Sequence, residues 1–252
     1  MAPAAAAAPL PRFSRIRSAF KTMAERLGPR MGMGLLAAGI VMVLFAILAS
    51  EVLEGETQHF DDAVRMTVYG AASPRATTVL RAITHLGSPL FLLPMTIVFS
   101  LVFLRLRRIR GAILLTATMV GVSLLNWILK SAFQRPRPLP FFGLTVPASY
   151  SFPSGHSLAA FCFYGALAAL VTARLRSTLW SALVWAGAAV IIVAVGFSRL
   201  YLGLHYPSDV VGGYATGFVW VLTVASADRI FRRADQRGAK TPVAEPPPGG
   251  PA

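Results

Sequence analysis

The sequence predicts an all-α membrane protein: a six-transmembrane-helix bundle with an interfacial helical segment between the first and second spans. Three observations predict it. Of 252 residues, 55% are hydrophobic and 13% charged, against about 25% charged in an ordinary soluble domain. Uncharged runs of 17 to 20 residues recur along the chain, close to the roughly 20 needed to cross the hydrocarbon as helix. Basic clusters fill the connections on one side of those runs, while the first connection on the other side is rich in acid.

The runs are Met31–Ser50, Leu86–Leu104, Gly111–Leu129, Ser157–Ala173, Leu179–Phe197 and Val210–Ala227. Backbone groups cannot go unpaired in lipid, so each run is expected to be helical. The fourth run is the shortest and is expected to begin earlier, at the P-S-G-H stretch. Pro89 and Pro94 in the second run predict a kink rather than an end. The first connection, 52–85, is long for a loop and reads as interfacial helix broken near Ser73-Pro74. Its histidines, His59 and His85, have no charged motif around them and read as surface residues.

Three domains of behaviour follow: a basic N-terminal segment (1–30), the six-helix domain (31–227) and a disordered tail (228–252). Arg12, Arg15, Arg17, Lys21, Arg26 and Arg30 precede the first span, and its alanine run comes before the arginines. That is the reverse of a signal peptide, so the first span reads as an uncleaved anchor. Arg105, Arg107, Arg108 and Arg110 follow the second span, and Arg174 and Arg176 the fourth. The first connection is richer in acid, with Glu51, Glu54, Glu56, Asp61 and Asp62. By the positive-inside rule both termini are cytoplasmic. Alanine- and arginine-rich composition fits a bacterial inner membrane. The net charge of +14 does not signal nucleic acid, because the basic residues lie in short segments between apolar runs. The one cysteine, Cys162, lies inside an apolar run and supports neither a disulfide framework nor a metal site.

Three polar islands interrupt the greasy chain on the outward side: K-S-A-F-Q-R-P-R-P from Lys130, F-P-S-G-H-S from Phe152, and S-R-L-Y-L-G-L-H-Y-P-S-D from Ser198. Charges beside membrane spans are costly unless they face a polar cavity. In the first island Lys130, Arg135 and Arg137 could anchor a helix to headgroups, or clamp a phosphate with a point charge and a planar fork. Arg135 could do either and stays off the site, although it stands near enough in sequence to meet a second phosphate. In the second, Ser154 is a good helix N-cap, and Gly155 permits close approach to the anion-favouring helix N-terminus. His156 follows in the first turn. The third closes a span at Arg199 and then presents His205 and, four residues on, Asp209. Asp209 can accept from one imidazole nitrogen of His205 and leave the other free to attack, the orienting-acid logic of a catalytic triad. Read singly, each island also admits a bland account: a capped helix, or a histidine satisfied by a neighbouring acid.

Together the islands resemble the signature of the phosphatidic acid phosphatase type 2 family, K-x-x-x-x-x-x-R-P, P-S-G-H and S-R-x-x-x-x-x-H-x-x-x-D. Lys130/Arg137-Pro138, Pro153–His156 and Ser198-Arg199/His205/Asp209 match it in order. The six runs resemble the membrane branch rather than the soluble haloperoxidase and acid phosphatase relatives. The resemblance implies a lipid phosphatase in which His205 attacks phosphorus, His156 serves as general acid and then base, and Asp209 orients His205. Lys130, Arg137, Ser154, Gly155 and Arg199 would hold the phosphate. No cofactor is implied, and one island carboxylate is too few for a two-metal site. The expected partners are the bilayer and a lipid phosphate or pyrophosphate, first among them undecaprenyl pyrophosphate. Phosphatidylglycerol phosphate, phosphatidic acid, a phosphotransferase and a non-enzymatic lipid carrier stand as alternatives. The small-residue stretch Gly213–Gly217 reads as a packing seam within the bundle.

Overall fold

The computed structural model describes residues 29–238, which form eight helices and no strands. Nearly all of the expected basic N-terminal segment and residues 239–252 of the tail lie outside the described residues. The helices are α1 (Pro29–Glu54), α2 (Gln58–Gly70), α3 (Pro74–His85), α4 (Pro89–Arg105), α5 (Ile109–Phe133), α6 (Gly155–Thr172), α7 (Thr178–Tyr201) and α8 (Pro207–Gly238). Five of them are long and apolar enough to cross a membrane, and α3 with α4, bent by 47°, makes a sixth if taken as one broken span. The last helix continues past Ala227, the expected end of the sixth span, to Gly238.

The start of the second span differs from expectation, for a local reason. Pro89 does not kink a helix: Ser88 caps α4 by accepting from Phe91 N at 3.3 Å, and Pro89 takes the first helical position. There its missing N–H is one that a helix leaves unpaired anyway. Pro94 is carried inside α4. The break at Ser73-Pro74 falls as the sequence predicts, with the Ser73 hydroxyl capping α3 through Ala76 N.

The interfacial segment turns its charge inward. The buried residues of α2 are Asp61 and Arg65, while Phe60 and Met66 are exposed. His59 and His85 are exposed as well. Tyr201 of α7 ties this layer to the bundle, its hydroxyl donating to Ser73 O at 3.1 Å and meeting Thr77 Oγ1 at 2.9 Å.

Helix α6 is central, with 44% of its span buried against 6% for α1. It packs chiefly on α7, α8 and α5. Leu92, Phe103, Leu115, Val122, Leu158 and Phe163 knit α4, α5 and α6 into the main core. The glycine seam of α8 faces α6: a Cβ at Gly213 would lie 2.7 Å from Ser154 O, and one at Gly217 would lie 3.0 Å from the Phe161 ring. No side chain fits there, so the seam is used within the bundle. Helix α1 joins at one end through Ala49 and Val52, where Phe45 stacks on Phe152 at 5.8 Å and Phe133 meets it edge-on at 5.0 Å.

The chain reverses at 134–154 and again at 202–206, so the end of α5, the start of α6, the end of α7 and the start of α8 share one end of the bundle. Gln134, left-handed at φ 46°, stops α5. Gly203 (φ +70°) lets the second reversal press against the first, where a Cβ would lie 2.7 Å from the Phe141 ring. All three polar islands lie at this end.

Candidate active site

A cavity of about 600 Å³ opens at that end and runs between α4 and α5. Its polar part is lined by Lys130, Arg137, Gly155, His156, Arg199 and His205. Its lining reaches back along α5 to Thr116, fourteen residues before Lys130 and so about 20 Å at the helical rise. Leu93, Ile97, Leu101 and Val120 line that stretch and are exposed on the bundle surface, which makes it a lateral groove rather than a closed chamber.

His205 sits in the short loop before α8, fully enclosed. Its Nδ1 lies 3.1 Å from Asp209 Oδ2 and its Nε2 lies 3.1 Å from Arg137 Nη1. A carboxylate needs a donor and a guanidinium has only donors, so the network assigns the proton to Nδ1 and the lone pair to Nε2. Burial, chiefly, pushes the imidazole's pKa down to about 3, aided by Arg137 and Arg199 and opposed by Asp209. The ring is therefore neutral and carries a nucleophilic lone pair at physiological pH.

Asp209 stands in the first turn of α8 because Pro207 starts that helix there. It accepts from Arg135 Nη1 on Oδ1 at 2.8 Å, and on Oδ2 from Tyr206 N at 2.9 Å, from His205 and from the Ser151 hydroxyl. Such saturation fixes both the carboxylate and the ring it holds.

Three cations surround the cavity without a carboxylate partner among the described residues: Lys130, Arg137 and Arg199. Backbone carbonyls hold two of them. Lys130 donates to Tyr150 O and to Ser151 O, the latter at 3.3 Å, and Arg137 Nη1 donates to Leu204 O at 2.9 Å. Arg199 donates to Thr84 Oγ1 at 2.8 Å, and its Nε has no partner among the described residues. Buried like charges held together by carbonyl oxygens form an anion site.

The start of α6 delivers Gly155 and His156 to the cavity wall. A Cβ at Gly155 would lie 2.7 Å from Asn126 Oδ1, so only glycine permits that approach. Ser154 differs from its companions. It is fully buried, does not line the cavity, and its hydroxyl is engaged with Ser157 N and, at 3.0 Å, with Ser157 Oγ. Its N–H donates to Asp209 O at 2.9 Å, tying α6 to α8 behind the site.

Some residues at the site carry no sequence signal. Ser151 and Ser149 reach Asp209 and Arg137 respectively from the first reversal. Asn126, one turn before Lys130, lines the cavity, and its Oδ1 has no partner among the described residues. The second-phosphate role for Arg135 is corrected: its guanidinium is buried between Asp209 and Asp61, 2.8 Å from each.

A helical membrane fold with a carboxylate-oriented imidazole and an unpaired trio of cations defines a membrane phosphatase. A model of the PAP2 superfamily matches residues 111–232. The phosphatidylglycerophosphatase B of Bacillus subtilis is 33% identical over 198 residues, covering 78% of this chain and 97% of its own. The chain belongs to the PAP2 superfamily, and it is a multi-pass membrane lipid phosphatase. An undecaprenyl-diphosphatase of Sulfolobus acidocaldarius is 33% identical over a shorter stretch of 122 residues, 46% of this chain and 54% of its own. Among solved structures, a transmembrane PAP2-type phosphatidylglycerolphosphate phosphatase from Bacillus subtilis superimposes with a TM-score of 0.72 at 32% identity. The match covers 78% of this chain and 98% of that one.

Proposed function

We propose that the protein hydrolyses the phosphate monoester of a glycerophospholipid, with phosphatidylglycerol phosphate as first choice, through a phosphohistidine intermediate. The observation that carries the mechanism is the His205 lone pair, aimed among three carboxylate-free cations. His205 Nε2 attacks phosphorus in line as the P–O bond to the lipid breaks, and the leaving oxygen takes a proton from His156. Lys130, Arg137, Arg199 and the Gly155 N–H hold the equatorial oxygens as charge develops. His156 then accepts a proton from water as that water attacks phosphorus, freeing His205 and inorganic phosphate. Asp209 orients the ring throughout. Ser154 contributes by capping α6 and anchoring it to α8.

Two observations favour the monoester over undecaprenyl pyrophosphate, the first expectation from sequence. Arg135, the cation that would have met a second phosphate, is already engaged by two carboxylates. The phosphatidylglycerophosphatase likeness extends over 78% of the chain, the undecaprenyl-diphosphatase likeness over 46%. The lateral groove suits lipid tails entering sideways from the bilayer. Charge asymmetry supports cytoplasmic termini and an outward-facing site.

Purified protein should release phosphate from phosphatidylglycerol phosphate with a kcat/KM at least about tenfold above that for undecaprenyl pyrophosphate, or about 1.4 kcal/mol of transition-state preference. The reverse order would restore the prenyl carrier as substrate. Acid-labile label from a ³²P-labelled monoester should be trapped on the wild type and absent from His205→Ala. Trapping on His205→Ala would remove the mechanism.

A further inference from the structure

Behind the candidate site lies a buried ion chain that none of the three islands announces. Arg135 spans two carboxylates with the two arms of its fork, Nη1 on Asp209 Oδ1 and Nη2 on Asp61 Oδ2, each at 2.8 Å. Asp61 and Asp209 are fully enclosed and Arg135 nearly so. Asp61 belongs to α2, a 13-residue helix too short to count as a membrane span, and it also binds the start of α8. Its Oδ1 accepts from Ser208 N at 3.0 Å and its Oδ2 from the Ser208 hydroxyl at 2.5 Å. Arg135 Nη1 donates to that same Ser208 hydroxyl at 2.7 Å. The Arg135 guanidinium lies 4.1 Å from the Tyr206 ring centroid, and Arg65 of α2 lies 5.2 Å from it.

An unpaired buried charge is costly, and two carboxylates around one guanidinium leave a net negative cluster facing inward. Such a cluster has an obvious use when its inner end holds an imidazole. The arginine takes one lone pair of Asp209 and leaves the other oxygen for Nδ1–H, so the ring can rotate only by breaking the chain. The cavity lining excludes both Arg135 and Asp61, so neither can reach the substrate.

We propose that Arg135 and Asp61 are positioning residues for phosphoryl transfer. Asp61 holds Arg135, Arg135 holds Asp209, and Asp209 holds His205 in its attacking orientation. The non-spanning helix α2 is thereby part of the catalytic apparatus. The inference rests on the reading of His205 as nucleophile.

The test uses the full chain in detergent with two probes, dioctanoyl phosphatidic acid and farnesyl pyrophosphate. The variants are Asp61→Asn, Arg135→Gln, Arg135→Lys, the Asp61→Asn/Arg135→Gln pair, and His205→Ala as control. Outer partners of reactive groups typically contribute about 10- to 100-fold. Asp61→Asn and Arg135→Gln should lower kcat by that factor on both probes with KM changed by less than about twofold, the pattern of an interaction felt in the transition state. The double variant should be no worse than the poorer single one, because both act through one carboxylate. Arg135→Lys keeps the charge but cannot fork, and should recover part of the loss. A selective rise in KM for farnesyl pyrophosphate in Arg135→Gln would make Arg135 a substrate ligand and overturn the proposal. So would a lowered melting temperature with unchanged kcat, which is a purely structural role. Normal kcat in Asp61→Asn beside an inactive His205→Ala overturns the positioning role alone. Turnover surviving His205→Ala overturns the reading beneath it.

Discussion

Arg137 Nη1 lies 3.1 Å from His205 Nε2, the one imidazole nitrogen that Asp209 leaves free. A guanidinium thus stands directly against the nitrogen that the proposed attack on phosphorus would use. Arg135 and Arg137, two apart in the first reversal, touch the two ends of the His205–Asp209 pair.

Enclosed by the protein and beside the Arg137 and Arg199 guanidinium groups, His205 should stay neutral well below ordinary histidine range despite the opposing pull of Asp209. Its pKa of about 3, against 6.5 for the free side chain, means that the unfolded chain binds the proton first as pH falls. The residue's contribution to stability is therefore complete above about 6.5 and lost as the pH falls toward about 3. Nitrogen NMR of histidine-labelled protein, assigned with His205→Ala, should show a neutral Nδ1–H tautomer for His205 at pH 5. An imidazolium there would contradict the electrostatics described.

Asp209→Asn keeps the shape of the side chain but sets an amide among donors from Arg135, Ser151, Tyr206 and His205. Activity should fall by about 10³- to 10⁴-fold, as when the orienting acid of a triad is neutralised. Circular dichroism and gel filtration should match wild type. A loss below about tenfold would show that the imidazole is held by other means.

Orthovanadate should inhibit competitively, its oxygens taking the place of the phosphoryl group among Lys130, Arg137 and Arg199. Activity should survive EDTA if, as proposed, side-chain cations and backbone donors hold the phosphate. Complete loss in EDTA with recovery on added Mg²⁺ would assign that work to a metal.

Topology can be read with single cysteines in a Cys162→Ser background. Thr145 lies exposed in the first reversal at the site end, and Arg176 lies exposed in the connection from α6 to α7. In intact cells a membrane-impermeant thiol reagent should label Thr145→Cys and spare Arg176→Cys. The opposite pattern would place the site on the cytoplasmic face.

The spans and the three islands were legible because both signals are local: uncharged runs have a length, and Lys130/Arg137, Ser154–His156 and Arg199/His205/Asp209 have a spacing. Their convergence followed from counting connections. The Asp61–Arg135 pair was not legible, since its members stand 74 residues apart and nothing near either one marks the other. Nor was the start of α4, where Pro89 reads as a kink until Ser88 is seen to cap the helix that Pro89 begins. The lateral groove depends on how α4 and α5 splay, which no run of apolar residues encodes.

Helix α1 looks, from sequence, like a tether that any apolar segment could replace. Its Phe45 stacks on Phe152, which is buried immediately before Pro153-Ser154, and Phe133 completes the cluster from the end of α5. The first span is therefore shaped to its neighbours through this aromatic cluster, and not a spare part. A chimera with a borrowed first span could reach the membrane and still leave the P-S-G-H turn without its backing. One aromatic cluster thus joins the first span to the stretch that leads into Pro153-Ser154.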